Sequence, residues 1–339
     1  MPTLALRLSE LELPLVHPFK IARSEESISR TVLFRVGWRE LEGLGESSPT
    51  PRYVESFSTI AKWYDEHPLR SETPYRLETL LDGIPPAARC GLDIALHDLI
   101  GKNTGKPLYE LLGLDPQKTP VTSFTVGIAD RDLTLQKVAE IADHPVMKVK
   151  LGLGTPQEQV ETIALIRSRY HGTIRVDANE GWVPESAVQI LNELQRYDIE
   201  FCEQPIPAGT PEKLRYIKER VRIPIVTDED SKDASDLPPL YNCVDGINVK
   251  LVKCGGIRAA LAMIHTARAM GLKIMLGCMV ESAILSTAAA HLSPLVDWAD
   301  IDGPFLTAHD PFAGVTYKDG KLILPDAPGL GVRALAAVA

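Results

Sequence analysis

The feature that most constrains this chain is a rhythm in its last two-thirds. From about residue 120, short apolar runs recur at 121–126, 146–151, 174–177, 199–203, 225–228, 246–250, 273–277 and 299–302. Their ends fall about 25 residues apart, and a helix-length stretch follows each. Strands alternating with helices imply a parallel sheet, and eight evenly spaced units imply a closed (β/α)8-type barrel of the α/β class. An open doubly wound sheet is the rival architecture, but it would normally carry a glycine fingerprint after its first strand. Gly152-Leu153-Gly154 lacks the third glycine, because Gln157 stands there, and the Gly101 to Lys106 stretch is one residue short of a phosphate loop and runs into Pro107.

The first third reads differently, as an α+β unit. Leu4, Leu6 and Leu8 alternate as in a strand, and a second β-rich run covers 31–38. The polar stretch 24–30 between them reads as a loop or hairpin tip, and 54–82 reads as amphipathic helix. Pro85 and Pro86 open a helix over 87–101 whose dense apolar residues predict burial. A length of 339 residues, 45% hydrophobic, accommodates a barrel with such an appendage. The formal net charge of −9 argues against a nucleic-acid partner, since phosphate backbones select basic surfaces. No apolar run reaches the ~18 residues of a membrane span, and the N-terminus has no signal-peptide pattern. The five cysteines are odd in number, scattered and without a C-x-x-C, which points to reduced thiols in a cytoplasm.

In a parallel barrel, catalytic residues occupy the carboxyl ends of the strands. Six of the eight runs end in ionisable residues, in a chain only 24% charged: Lys148 with Lys150, Asp177, Glu203, Asp228, Lys250, and Asp300 with Asp302. Asp177, Glu203 and Asp228 close consecutive strands. Three converging carboxylates repel one another unless a cation offsets them, and oxygen-only ligation selects a hard ion, Mg2+ with Mn2+ as substitute. Lys148 and Lys150, two apart, share one strand face. They and Lys250 end strands on opposite sides of an eight-stranded ring. A confined lysine near another cation has its pKa lowered and can act as a base, so a facing pair could remove a proton from one side of a carbon acid and return it from the other. Lys253 and Lys273 read as ordinary lysines that reach solvent or pair with acids.

Taken together these residues resemble the enolase superfamily, within it the muconate-lactonizing-enzyme-like subgroup. The matching stretches are Lys148-Val149-Lys150, Asp177-Ala178-Asn179, Glu203-Gln204-Pro205, Thr227-Asp228-Glu229 and Asn248-Val249-Lys250 with Gly255-Gly256. Pro18-Phe19 and the C-terminal Pro328-Gly329-Leu330-Gly331 extend the likeness over nearly the whole chain. The resemblance implies a capping domain over 1–117, completed by the returning segment 306–339, around a barrel over 118–305. It implies Mg2+ on Asp177, Glu203 and Asp228, an acid/base pair of Lys150 and Lys250, and Asn179 supporting the ligands. It also implies that Lys148 positions the substrate carboxylate and lowers the pKa of Lys150. The chemistry implied is removal of a proton alpha to a carboxylate, through an enolate.

Asp300-Ile301-Asp302 resembles the motif with which dipeptide epimerases hold a substrate ammonium. The implied activity is therefore epimerisation of a dipeptide at its C-terminal residue, with L-Ala-D/L-Glu and murein peptide salvage as the default. Racemases of N-acylated amino acids, o-succinylbenzoate synthases, cycloisomerases and a non-catalytic binding member are the alternatives. In the capping loop, Arg23 could hold a substrate side-chain carboxylate, whereas Glu25 and Glu26 would suit a cationic side chain. The expected partner is a small dipeptide, and the expected assembly is a homo-oligomer.

Overall fold

The structure, a computed structural model, describes residues 3–335. The outermost ends of the expected capping segments, 1–2 and 336–339, lie outside the described residues. The barrel strands are β4 (Phe124–Val126), β5 (Val146–Lys150), β6 (Thr173–Asp177), β7 (Ile199–Glu203), β8 (Ile225–Thr227), β9 (Gly246–Val249), β10 (Lys273–Gly277) and β11 (Trp298–Asp300). All neighbours pair in parallel and in chain order. A bridge between Thr122 and Ala299 joins the two edge strands, so the ring has no free edge. The apolar run 121–126 thus divides: its second half pairs regularly with β5, and its first half closes the barrel.

These strands are buried on both faces over most of their length. Residues such as Met147, Val149, Ile174 and Val176 face the surrounding helices, while alternate residues fill the interior. The lower interior is plugged by Phe201, Val226 and Met275, with Trp298 against them. The ionisable strand ends are left in the upper layer.

The capping unit opens with a long antiparallel hairpin, β1 (Ala5–Ile21) and β2 (Ser24–Trp38), and β3 (Leu41–Ser47) follows on β2. The polar stretch 24–30 is therefore strand, not loop; its partners are residues of β1, from Ile21 opposite Ser24 to Pro14 opposite Ile28. It reads as a loop because this end of the hairpin projects from the core and needs no apolar face. The segment 54–82 also differs from expectation. It forms α1 (Phe57–Glu66) and a short α2 (Leu77–Leu81), because Pro68 and Pro74 interrupt the helical pattern between them. The expected buried helix is present as α3 (Pro86–Thr104). It lies so close to β3 that a Cβ at Gly45 would meet the Gly91 carbonyl at 2.0 Å.

Buried polar bonds fasten this unit over the barrel mouth. Glu46 accepts from Ser282 N and Oγ and from Leu285 N, at the start of the helix Ala283–Leu292. Ser29 Oγ donates to Val280 O at 2.6 Å. Arg89 donates to the Cys254 and Gly255 carbonyls, just past the sixth barrel strand. Asp98 takes Leu44 N on one oxygen and Leu330 N on the other, which ties the C-terminal return to α3. No helix among the described residues is long and apolar enough to cross a membrane.

Candidate active site

A cavity of about 480 Å³ lies between the barrel mouth and the capping unit. Lys148, Lys150, Asp228, Lys250, Asp300 and Asp302 line it from the barrel, and Arg23 and Tyr53 from above. Every barrel residue expected at the site is thus at this one mouth, and Asp177 and Glu203 are fully buried. The register explains the convergence: Lys150 is paired with Asp177, and Asp177 with Glu203, in neighbouring parallel strands.

The charges interlock. Lys148 Nζ lies 2.6 Å from Asp300 Oδ2, 2.5 Å from Glu203 Oε2 and 3.4 Å from Asp177 Oδ2. Lys150 Nζ donates to Asp177 Oδ2 at 2.6 Å, and Lys250 Nζ to Asp228 Oδ2 at 2.9 Å. Asn179 donates to both oxygens of Asp177, from its backbone N–H and from Nδ2, as a ligand-supporting residue should.

The sequence argument expects a lowered lysine pKa, but the surroundings reverse the sign for Lys148 and Lys250. Burial by itself would lower Lys148, yet Asp300, Glu203 and Asp177 outweigh it and its pKa is raised. Lys250 is likewise raised, with burial opposed by Asp228 and Glu203. Among the acids, burial lifts Glu203, reinforced by Asp177, while the lysines hold Asp177 and Asp228 below the ordinary range in spite of their burial.

Among the described residues, no three His, Cys, Asp or Glu side chains are already gathered as a metal cage. Lysine ammoniums stand between the acids instead. The donor chemistry nevertheless fits a hard dication. The acids offer only oxygen, and Glu203 Oε2 is buried without a hydrogen bond, since its short approach to Lys148 lacks hydrogen-bond alignment. A cluster of buried acids balanced by a cation is the electrostatic situation such an ion enters.

Two expectations change. Asp300 and Asp302 read in the sequence as poorly paired acids, because no basic cluster adjoins them there. In three dimensions Asp300 is fully paired, with Lys148 on Oδ2 and Ser123 Oγ 2.5 Å from Oδ1. Its carboxyl is held down to about 2, the charge of Lys148 outweighing burial. Asp302 accepts from Thr125 N and lies 3.5 Å from Cys278 Sγ, and it makes no ion pair among the described residues. Burial and the charge of Asp300 push it up to about 6. Arg23 is also engaged: NH2 lies 2.6 Å from Glu229 Oε1 and NH1 3.2 Å from Glu180 Oε2. Glu180 further holds Arg52 at 2.7 Å, so two capping loops meet one barrel acid.

Several residues at this site make contacts that sequence reasoning does not assign. Lys253 pairs with an acid but does not reach solvent: its buried Nζ lies within hydrogen-bond distance of Asp228 Oδ1 and of the carbonyls of Asp228, Ser231 and Asn248. Gln204 Oε1 accepts from Asp228 N and Glu229 N, and Asn248 Nδ2 donates to Glu203 Oε1 at 2.7 Å. Gln204 and Asn248 lie inside the stretches that carry the resemblance, but the fold alone sets their partners, and the signal for Lys253 is its place in an otherwise apolar turn. Lys273, by contrast, is exposed and pairs with Asp297.

This fold and mouth define a barrel enzyme of the enolase type. The description "Enolase C-terminal domain-like" matches residues 133–337, and "Mandelate racemase / muconate lactonizing enzyme, N-terminal domain" matches 7–113. The chain belongs to that mandelate racemase and muconate lactonizing enzyme family. It is 36% identical over 330 residues to the L-Ala-D/L-Glu epimerase of Bacteroides thetaiotaomicron, covering 95% of this chain and 85% of that protein. The substrate-liganded L-Ala-D/L-Glu epimerase of Bacillus subtilis superposes with a TM-score of 0.93 at 26% identity, covering 99% of this chain and 100% of the other. The dipeptide epimerase of Cytophaga hutchinsonii, complexed with Mg and D-Ala-L-Val, gives 0.92 at 30% identity, covering 99% and 97%.

Proposed function

We propose that this protein is a Mg2+-dependent dipeptide epimerase, an isomerase that inverts the alpha carbon of the C-terminal residue by proton transfer. The observation that carries this reading is the placement of Lys150 and Lys250 on one cavity from β5 and the end of β9, four strands apart in a ring of eight. They face a bound molecule from opposite sides. In the neutral form one Nζ takes the alpha proton as the C–H bond breaks, and the ammonium of the other returns a proton to the opposite face. Lys148, at the centre of the acid cluster, lies within reach of a substrate carboxylate where negative charge develops.

Asp177, Glu203 and Asp228 would hold the Mg2+, with Mn2+ as substitute, and Asn179 supports Asp177. Bound there, the ion would supply a Lewis acid for the substrate carboxylate and offset the acidic field that raises Lys148 and Lys250. Asp302 offers the substrate ammonium a carboxylate without a cation, which favours a free dipeptide over N-acylated amino acids and over cycloisomerase substrates. Similar proteins act on Glu-containing and on other dipeptides, so L-Ala-D/L-Glu and a place in peptidoglycan peptide metabolism are the finer part of the proposal. Five free cysteines suit a cytoplasmic setting.

The test is a dipeptide library incubated in D2O and read by mass spectrometry and chiral analysis, with and without chelator. The expected result is alpha-deuterium and inversion at the C-terminal residue, lost on chelation and restored by Mg2+. Equal activity in metal-free buffer, or activity confined to N-acylated amino acids, defeats the reading.

A further inference from the structure

We propose that Glu281 is a positioning residue. With Glu46 it forms a two-acid clasp that fastens the capping unit to one wall of the catalytic cavity, and alkaline solution releases that clasp.

The wall is the loop that follows β10, from which Cys278, Met279 and Val280 line the cavity. The capping unit grips this loop at two points. Ser29 Oγ and Ser48 Oγ both donate to Val280 O, at 2.6 and 3.4 Å. Glu46 of β3 accepts from Ser282 N at 3.0 Å, Ser282 Oγ at 2.5 Å and Leu285 N at 3.1 Å. Glu281 shapes the loop from within: Oε2 accepts from Met279 N at 3.1 Å, and Ser286 Oγ lies 3.1 Å from Oε1. Glu281 thus sets the course of the wall, and Glu46, bonded to the next residue, attaches it to the cap.

Both carboxyls are buried, and neither makes an ion pair among the described residues. The titratable groups that face them are Lys250 at the end of β9, Cys278 on the loop with Asp302 beside its thiol, Cys90 of α3, and Tyr317 of the C-terminal return. Asp310 of the same return accepts from Ala283 N at 2.7 Å. Lys250 is the one cation in this set, and it is bonded to Asp228. Gly303 packs so tightly on the loop that a Cβ there would meet Met279 O at 3.0 Å and Glu281 Cγ at 3.1 Å, which leaves no room for water on that side. Two negative charges in such a joint would lose their hydration and repel each other.

The donors divide the roles. Glu46 has three, two of them backbone N–H groups at the positive end of the ten-residue helix Ala283–Leu292, and so bears the charge. Glu281 has one N–H and one hydroxyl that can give or take a proton, and so keeps its own. Burial, and then the charge of Glu46, raise Glu281 well above the ordinary carboxylate range. An acid that binds its proton more tightly in the native state than in the unfolded one stabilises the fold at low pH, and that contribution falls as pH rises toward its native pKa. Once Glu281 ionises it repels Glu46, and the wall formed by Met279 and Val280 loosens from the cap.

The test follows urea unfolding in Mg2+ from about pH 7 to about pH 9 for wild type, Glu281→Gln and Glu46→Gln. Glutamine copies the shape and the acceptor oxygen of a neutral carboxylic acid. The wild-type folding constant should therefore fall relative to that of Glu281→Gln by roughly tenfold for each pH unit, until the native acid itself ionises. Glu46→Gln exchanges a charged acceptor for an amide and should lower the constant roughly tenfold or more at neutral pH. On the dipeptide found by the library screen, the ratio of wild-type KM to that of Glu281→Gln should climb in alkaline solution while the ratio of kcat values stays level, because Glu281 shapes the wall and touches no reacting atom. Parallel stability profiles for wild type and Glu281→Gln would mean an acid already ionised at neutral pH, and would overturn the proposal. If Glu281→Gln does not fold, the infrared spectrum of the Mg2+-loaded wild type in D2O decides: a protonated-carboxyl C=O band that persists to about pH 9 supports the clasp, and its absence defeats it. The stability and infrared readings need no substrate, so they stand apart from the epimerase reading, on which only the KM comparison depends.

Discussion

Replacing Lys253 with methionine tests how the acid cluster is held together. Its buried ammonium joins Asp228 Oδ1 at 2.5 Å to the carbonyls of Ser231 and Asn248 at 3.1 and 3.2 Å, and so ties the ends of β8 and β9. Methionine keeps the length and most of the packing of the stem, so the change removes little except the charge and its donors. Lys250 remains on Asp228 Oδ2, but Oδ1 is left buried without a partner. Removing one member of a buried ion pair costs about 3–5 kcal/mol, and the abandoned carbonyls place this site toward the upper end. That is a large share of the roughly 5–15 kcal/mol by which native proteins are stable. The assay is urea unfolding in chelator, because a cation bound only by the native state would add stability of its own. A fall in midpoint at unchanged slope, equivalent to about 3–5 kcal/mol, is expected. A loss below about 1 kcal/mol, the level of an exposed pair, would refute the assignment of Lys253 as a structural cation.

Further outcomes follow from the same geometry. Lys150→Ala and Lys250→Ala should each abolish epimerisation, while each still exchanges the alpha proton of one epimer with D2O; near-wild-type inversion in either removes that lysine from the acid/base pair. Arg23→Gln should lower kcat/KM equally on L-Ala-L-Glu and its neutral isostere L-Ala-L-Gln, since the guanidinium is already held by Glu229 and Glu180; a loss of roughly a hundredfold confined to the Glu substrate would make Arg23 the reader of that side chain. Asp302, raised from 3.8 to about 6 by burial and by Asp300, binds its proton more tightly in the native state than in the unfolded one. Its contribution is therefore fully present below about pH 4 and lost as pH rises through about 6, a difference on the order of 3 kcal/mol that Asp302→Asn should remove from the stability profile. The kcat/KM of free dipeptides should run the opposite way and rise through the same region, because the ammonium needs the ionised acid.

Much of this protein is legible in the chain because local rules and tertiary rules agree there. A parallel strand buried on both faces must be an apolar run, and a barrel repeats it at a near-constant interval, so eight units can be counted without coordinates. The strand's carboxyl end is where a polar residue can stand at the mouth, so Lys150, Asp177, Glu203 and Asp228 are marked by what precedes them. The residues 24–30 mislead for the converse reason. A strand that projects from the core carries no apolar alternation, and only its pairing with β1 makes it a strand.

What only the folded chain decides is which charges meet. Asp300 is 152 residues from Lys148 and 177 from Ser123, yet it hydrogen-bonds to both. Its partner set cannot be read from its neighbours in sequence. Arg23 reads as a capping-loop residue that could hold a substrate carboxylate, and only the fold brings Glu180 and Glu229, on two different barrel loops, beneath it. Lys253 reads as an ordinary lysine that reaches solvent or pairs with an acid, and only the closing of β8 and β9 around it decides for the acid. Burial and apolar periodicity are properties of a segment, so the sequence carries them. Coulomb pairing depends on distance across the ring, and strand order and register set that distance only when the barrel closes.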